Sequence, residues 1–202
     1  MTDLPEDGGM PIGGWLSGAA ISAEVANGRI VIEPFHHEFL NPNSYNYTLG
    51  ASVLRLTSQE IDLLEEEHYE ELTVDAAGLV LHPGECYLAH TQETFGSPTF
   101  AALITGRSSV GRKFVTNHVT AGLIDVGFLG QITLEVIVQR PTRVYAGIPF
   151  GQIFWFSLYG EPSPLYNGKY QAQSGPMRSR LHQDLARSLH SPLPVCIERQ
   201  RT

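Results

Sequence analysis

Cysteine is almost missing from this chain: Cys86 and Cys196 are the only two among 202 residues, and they stand far apart. That leaves neither a disulfide framework nor a zinc-ligand spacing. No Cys-x-x-Cys occurs, so the paired His-x-Glu and Pro-Cys-x-x-Cys motifs by which one large class of base deaminases holds zinc are not both present. Long apolar runs are missing as well. Nothing approaches the ~20 consecutive residues that cross a bilayer, so no membrane partner is expected. Basic charge is scarce, with 13 Lys and Arg against 21 Asp and Glu and a net charge of −8. A general nucleic-acid partner is therefore not expected, because such proteins show a basic face to phosphate. Residues 1–10 carry Asp3, Glu6 and Asp7 and no basic residue, unlike a secretory or mitochondrial presequence. A cytoplasmic protein is the expectation.

What is present suits a packed core, with 42% hydrophobic and 17% charged residues in a length that fits one large domain. Much of the acid lies in one run, Glu60 to Glu71, which reads as a solvated excursion. It lacks the alternating ligands and central glycine of a calcium loop. The 20 Gly and 13 Pro punctuate the chain densely, which favours short strands over long helices. A short helix is predicted over Ile21–Ala26, stopped by Asn27-Gly28. Strands are predicted over 29–34, 79–81, 86–90, 100–104, 115–120, 132–138 and 152–158. A loop is expected from Glu93 to Pro98, and a stop at Gly160-Glu161-Pro162. Segments this short do not alternate with crossover helices, so a mainly β fold is predicted, an antiparallel barrel or jelly roll with a few short helices. Residues 1–18 and 185–202 read as tails flanking a domain over 19–184.

Three stretches carry chemistry. Gly106-Arg107-Ser108-Ser109-Val110-Gly111-Arg112-Lys113 packs two glycines, two hydroxyls and three cations into eight residues. Ser109 is placed to cap a short helix beginning near Val110, and free N–H groups at a helix start favour anions. Arg107 and Arg112 would add bidentate bonds to phosphate. The Gly-Lys-Ser/Thr ending of a P-loop is missing, and composition alone favours a capped surface turn with solvated cations. In Ile132-Thr133-Leu134-Glu135-Val136-Ile137-Val138, alternation puts Ile132, Leu134, Val136 and Val138 on one face and Thr133, Glu135 and Ile137 on the other. Glu135 then faces either water or a cavity, and only in a cavity would it suit proton transfer. Asp125 has the same two readings, since a turn Asp commonly bonds nearby backbone. Finally, Tyr166 to Pro176 is polar and glycine-rich, with two tyrosines and Lys169. It reads either as a tail or as a lid that orders over a ligand.

These stretches together resemble the dCTP deaminase branch of the dUTPase-like superfamily. The matching segments, in family order over roughly residues 20–184, are Gly28-Arg29-Ile30-Val31-Ile32-Glu33-Pro34-Phe35, Leu81-His82-Pro83-Gly84-Glu85, Gly106-Arg107-Ser108-Ser109, Val119 to Gly130, Ile132-Thr133-Leu134-Glu135, Gly151-Gln152, Gly168-Lys169-Tyr170-Gln171, Gly175-Pro176 and Ser179-Arg180. The resemblance implies a distorted jelly-roll or β-barrel of the dUTPase-like type, and a homotrimer with sites at subunit interfaces. Glu135 matches the general base and proton shuttle. Ser108 and the Ala121 carbonyl match the groups that position water, and Arg112 the cation near the reacting centre. Arg107, Ser108, Ser109 and Arg112 match triphosphate positions and Asp125 the deoxyribose position. Thr133, Leu134 and Glu135 match the edge that reads the base. Gln152, Tyr166, Lys169 and Gln173 match the remaining contacts, the last three on a lid over about 164–184. The reaction implied is hydrolysis of dCTP to dUTP and ammonia without zinc, with magnesium only as the ion accompanying the triphosphate. The ligands implied are dCTP and dUTP, with dTTP as a candidate inhibitor.

The sequence also departs from the family. Asn46 and Thr48 stand where an Asp and an Arg are usual, Val138 where an Asn is usual, and Gly111-Arg112-Lys113 replaces a more apolar stretch. Thr120-Ala121-Gly122 resembles the bifunctional members, which go on to dUMP and pyrophosphate; Asp125 would then activate the second water. A catalytically silent trimer that senses deoxynucleotides is the reading from a different class.

Overall fold

The structure, a computed structural model, describes residues 14–160 and 164–189. Parts of the expected tails (1–13 and 190–202), Cys196 and the 161–162 end of the Gly160-Glu161-Pro162 stop lie outside the described residues. Strands dominate. Helix α1 (Gly18–Ala26) starts three residues earlier than Ile21, where the Ser17 hydroxyl accepts from Ala20 N–H, and it ends at Asn27 before Gly28 at φ 70°. Twelve strands then follow: β1 (Val31–Glu33), β2 (Tyr45–Thr48), β3 (Ser52–Leu56), β4 (Tyr69–Thr73), β5 (Leu79–Leu81), β6 (Tyr87–Gly96), β7 (Phe100–Gly106), β8 (Val115–Thr116), β9 (Leu123–Ile124), β10 (Leu129–Val138), β11 (Thr142–Val144) and β12 (Pro149–Ser157). A one-turn helix α2 (Ser108–Gly111) sits between β7 and β8, and α3 (Leu181–Leu189) closes the described chain.

One sheet runs β4-β3-β6-β10-β8, with β1 also on β6; a second runs β2-β12-β7-β9; β11 and β5 make a small pair. Each pairing is antiparallel. The core lies among large apolar side chains from both sheets, including Tyr45, Tyr47, Phe95, Phe100, Leu134, Phe150, Ile153 and Trp155, all nearly fully buried. This is the predicted mainly β architecture, and its fit to a jelly roll follows from two such sheets facing one core.

Three local expectations differ from the structure. The first four residues of the loop expected over Glu93–Pro98 are the end of β6, with Thr94–Gly96 paired to both β10 and β1, and only Ser97 and Pro98 lie outside the strand. Their polar composition hides the strand because Glu93 turns inward and Phe95 is core. The strand expected over 115–120 pairs only at Val115 and Thr116. There Asn117, buried, donates to Tyr47 Oη (2.9 Å) and the Phe150 carbonyl (3.2 Å), turning the chain away from the sheet. Helix α2 begins at Ser108 with Arg107 as its N-cap and no side-chain cap bond, so Ser109 is not the cap; its hydroxyl accepts from Arg107 Nη1 instead (3.0 Å). Strand β7 extends through Gly106, which forces the helix to start at once.

The last described residues of the expected N-terminal tail pair with the sheet. Gly14 and Leu16 exchange backbone bonds with β12, and Trp15 stacks on Phe154 at 4.1 Å. At the other end, α3 runs from the lid across position 185.

Candidate active site

Strand β10 supplies the frame. Its residues alternate in burial as the 2-residue period requires, with Leu134 fully buried and Thr133 and Glu135 half-buried on the opposite face. That face is one wall of a cavity of about 440 Å³. Glu135 thus faces a cavity and not open water. Its Oε2 accepts from Val119 N–H (3.0 Å) and Thr120 N–H (3.4 Å). The loop made by the turn at Asn117 holds the carboxylate, because donors aimed at an anion give charge-assisted bonds.

Of the residues singled out from the sequence, Ala121, Asp125, Thr133, Glu135, Tyr166 and Gln173 line this one cavity. Asp125 follows β9 at the start of a turn in which its carbonyl, not its carboxylate, accepts from Phe128 N–H, and Gly127 takes φ 96°. Among the described residues the Asp125 carboxylate makes no hydrogen bond or ion pair, so it is left facing the cavity. Leu134 presents only backbone, paired to β6 opposite Ala89.

A strap over residues 164–180 forms the outer wall. Tyr166 N–H donates to the Val126 carbonyl (2.8 Å), and its ring lies 6.0 Å from Phe128. From there the strap follows β10. Ala172 N–H donates to Leu129 O, Gln131 N–H to Gln173 O, Gln173 Nε2 to Gln131 O, and Met177 N–H to Thr133 Oγ1, all within 2.7–3.0 Å. Gln131 Oε1 also takes Gly175 N–H at 2.6 Å. Lys169 does not enter the cavity; it pairs with Asp184 and lies over the Tyr170 ring at 5.3 Å.

Arg107, Ser108, Ser109 and Arg112 are not among the lining residues of the cavity. They sit together on α2 and its flanks, with Ser108, Ser109 and Arg112 exposed. Gln152 is on β12 opposite Thr105, close in register to Gly106, and bonds Ser44 Oγ (3.2 Å) and Asn46 Oδ1 (3.4 Å). The singled-out residues therefore fall into two separate groups: a carboxylate cavity on the β10 sheet and a hydroxyl and guanidinium cluster after β7.

The cavity also holds groups that sequence reasoning missed. His118 lines it with both ring nitrogens buried and without a hydrogen-bond partner. Tyr69 and Arg178 line it from β4 and the strap. His118 had a usable signal in its place directly before Val119-Thr120-Ala121-Gly122. Tyr69 had none, since it lies inside the acidic run. Among the described residues, no group of three His, Cys, Asp or Glu side chains gathers as a metal-ligand set.

An antiparallel two-sheet fold with a cavity that sets two carboxylates among mostly apolar walls defines a class, and comparison with known proteins gives the family. The sequence pattern described as dCTP deaminase-like matches residues 15–158. The chain belongs to the dCTP deaminase-like family. Three curated relatives all bear the name "dCTP deaminase, dUMP-forming". One from Leptospira biflexa is 41% identical over 155 residues, covering 77% of this chain and 89% of the relative. One from Hathewaya histolytica is 38% identical over 169 residues, covering 84% and 98%. One from Cytophaga hutchinsonii is 39% identical over 169 residues, covering 84% and 97%. The crystal structure of the 2'-deoxycytidine 5'-triphosphate deaminase from Agrobacterium tumefaciens matches in fold with a TM-score of 0.60 at 22% identity, over 73% of this chain and 49% of that one. No helix among the described residues is long and apolar enough to cross a membrane.

Proposed function

We propose that the protein hydrolyses dCTP to dUMP in one site, by zinc-independent deamination and then by loss of pyrophosphate. The dUMP-forming names of the relatives favour this bifunctional reading over an enzyme that stops at dUTP. The observation that carries it is the pairing in one cavity of Glu135, held by two N–H donors, with an Asp125 carboxylate that has no partner among the described residues.

In the first step Glu135 takes a proton from water while the oxygen bonds to C4 of cytosine. The proton passes to N3, and a second transfer through the same carboxylate lets ammonia leave. The Ala121 carbonyl, exposed at the cavity wall, and the Ser108 hydroxyl hold that water; Arg112 stands near the reacting centre. In the second step Asp125 takes a proton from a water that bonds to the α-phosphorus, and the bond to the pyrophosphate oxygen breaks. Thr133, the Leu134 backbone and Gln173 read the base. Arg107, Ser109 and Gln152 serve the phosphate end, and Tyr166 and Lys169 the lid. Magnesium supplies charge neutralisation as the ion carried by the triphosphate.

The two groups act as half-sites only if a second copy of the chain brings its α2 cluster to this cavity. A homotrimer with interfacial sites supplies that arrangement, and dTTP is its candidate inhibitor. Gly122 fits the reading: a Cβ there would stand 2.9 Å from the Ile104 carbonyl oxygen, so a larger residue would shift the loop that presents Ala121 and the Thr120 N–H.

Incubation with dCTP or dUTP, resolving dUTP, dUMP and pyrophosphate, tests the proposal. The wild type should give dUMP from both. Glu135→Gln should lose ~10²–10⁴-fold in deamination while still binding dCTP, and Asp125→Asn should let dUTP accumulate. Release of dUTP alone by the wild type would overturn the second step; no product from either nucleotide would leave a sensor.

A further inference from the structure

The strap's ties to β10 end at Thr133, where Met177 N–H is held. The next residue, Arg178, reaches in the opposite direction, to the β3–β4 side of the sheet. Its Nη1 lies 3.8 Å from Glu66 Oε1, its Nη2 4.0 Å from Glu71 Oε1, and its guanidinium carbon 5.6 Å from the centre of the Tyr69 ring. Tyr69 and Arg178 both line the Glu135 cavity. On its other side Arg178 walls a second cavity of about 500 Å³ together with Glu66 and Glu71.

We propose that Arg178 is a positioning residue that latches the strap shut over the nucleotide cavity, with the acidic run Glu66–Glu71 and the Tyr69 ring as its keeper. The latch rests on the nucleotide reading above only for its catalytic consequence; the contact itself does not. The geometry suits a device that must release. Both carboxylates are more than half exposed, at 59% and 82%, and such ion pairs are individually weak and weakened further by salt. A guanidinium over an aromatic face adds a contact of similar size. Together they bias the strap toward closure without locking it, as turnover through a lid demands. The acidic run then has a task beyond solvation. It supplies counter-charge to a strap whose ties to β10 are neutral hydrogen bonds.

Amide hydrogen exchange of residues 170–180 in the full chain, without nucleotide, is the direct test. Arg178→Gln should raise exchange of the strap by about three- to tenfold, the size expected of losing these contacts. Wild-type strap exchange should rise toward the variant's as salt increases from about 20 mM to about 500 mM, and the variant's should hardly respond. Glu66→Gln with Glu71→Gln, two exposed changes remote from the core, should loosen the strap in the same way and raise KM for dCTP by a similar factor without lowering kcat. Arg178→Glu combined with Glu71→Arg should restore protection. Unchanged strap exchange in both Arg178→Gln and the double Gln variant would overturn the latch. A loosened strap in a protein that turns over no dCTP would keep the latch and overturn the proposed reaction instead.

Discussion

Glu93 shows what the departures at Asn46 and Thr48 do. The carboxyl is 1% exposed, and no cation faces it directly. Thr48 gives it a backbone N–H at 3.0 Å and a hydroxyl at 2.9 Å, where the usual family arginine would bring a charge. Burial pushes the Glu93 carboxyl above the usual carboxylate range; the Thr48 bonds and His36 offset part of that rise. Tyr45 and Tyr47, whose hydroxyls are also pushed up by burial, lie within its electrostatic reach. A carboxyl that holds its proton more tightly in the folded chain than in the unfolded one stabilises below the ordinary carboxylate pKa. That contribution is lost as pH rises through the raised value. Urea midpoints measured from pH 4 to 8 should therefore fall more in the wild type than in Glu93→Gln, whose curve lacks this slope. Parallel curves would show that folding leaves the Glu93 carboxyl unshifted. Thr48 thus holds the carboxyl with two uncharged donors, and neither Thr48 nor Glu93 lines the cavity.

At the scale of elements, the strap depends on a close approach that only glycine permits. A Cβ at Gly130 would stand 2.9 Å from Gln173 O and 3.0 Å from Gln173 N. Those are backbone atoms with nowhere to go except outward. Gly130→Ala should lift the strap from β10, raising KM for dCTP while the melting temperature falls by only a few degrees, about 1–3 kcal/mol of overpacking. An unchanged KM would detach the strap from substrate binding. The strands of strong alternation were legible in the sequence, β10 above all, because one buried face imposes a period of two. Strand β6 was legible only to His90, because its far half buries a carboxylate and pairs on both sides, which polarity conceals. The hairpin of β3 and β4 and the roles of Tyr69 and Arg178 come from long-range pairing, which no local pattern announces. For the site, the cavity face of β10 was legible as a choice between water and an interior. The stretch from Asn117 to Thr120 reads as strand in the sequence, because nothing local shows that Asn117 binds Tyr47.

For the whole molecule, the separation of the two half-sites sets a test that does not depend on guessing an interface. If Glu135 and Ser108 of one working site come from different subunits, two inactive variants should repair each other. Mixing Glu135→Gln with Ser108→Ala, after unfolding and refolding together, should restore about a quarter of wild-type sites, since each heterologous contact draws its two residues independently. No recovery in mixed assemblies would place both residues in one subunit. The strap has a further consequence for the intact chain. Along Leu129 to Thr133 it occupies the side of β10 that β8, pairing only at Ile137 and Val138, leaves uncovered. A chain ending at Gly160 would bare those N–H and C=O groups as an open strand edge, the usual template for strand-to-strand aggregation. The segment proposed above as a lid would then have a second task in the folded chain at rest, as a guard against strand-to-strand aggregation.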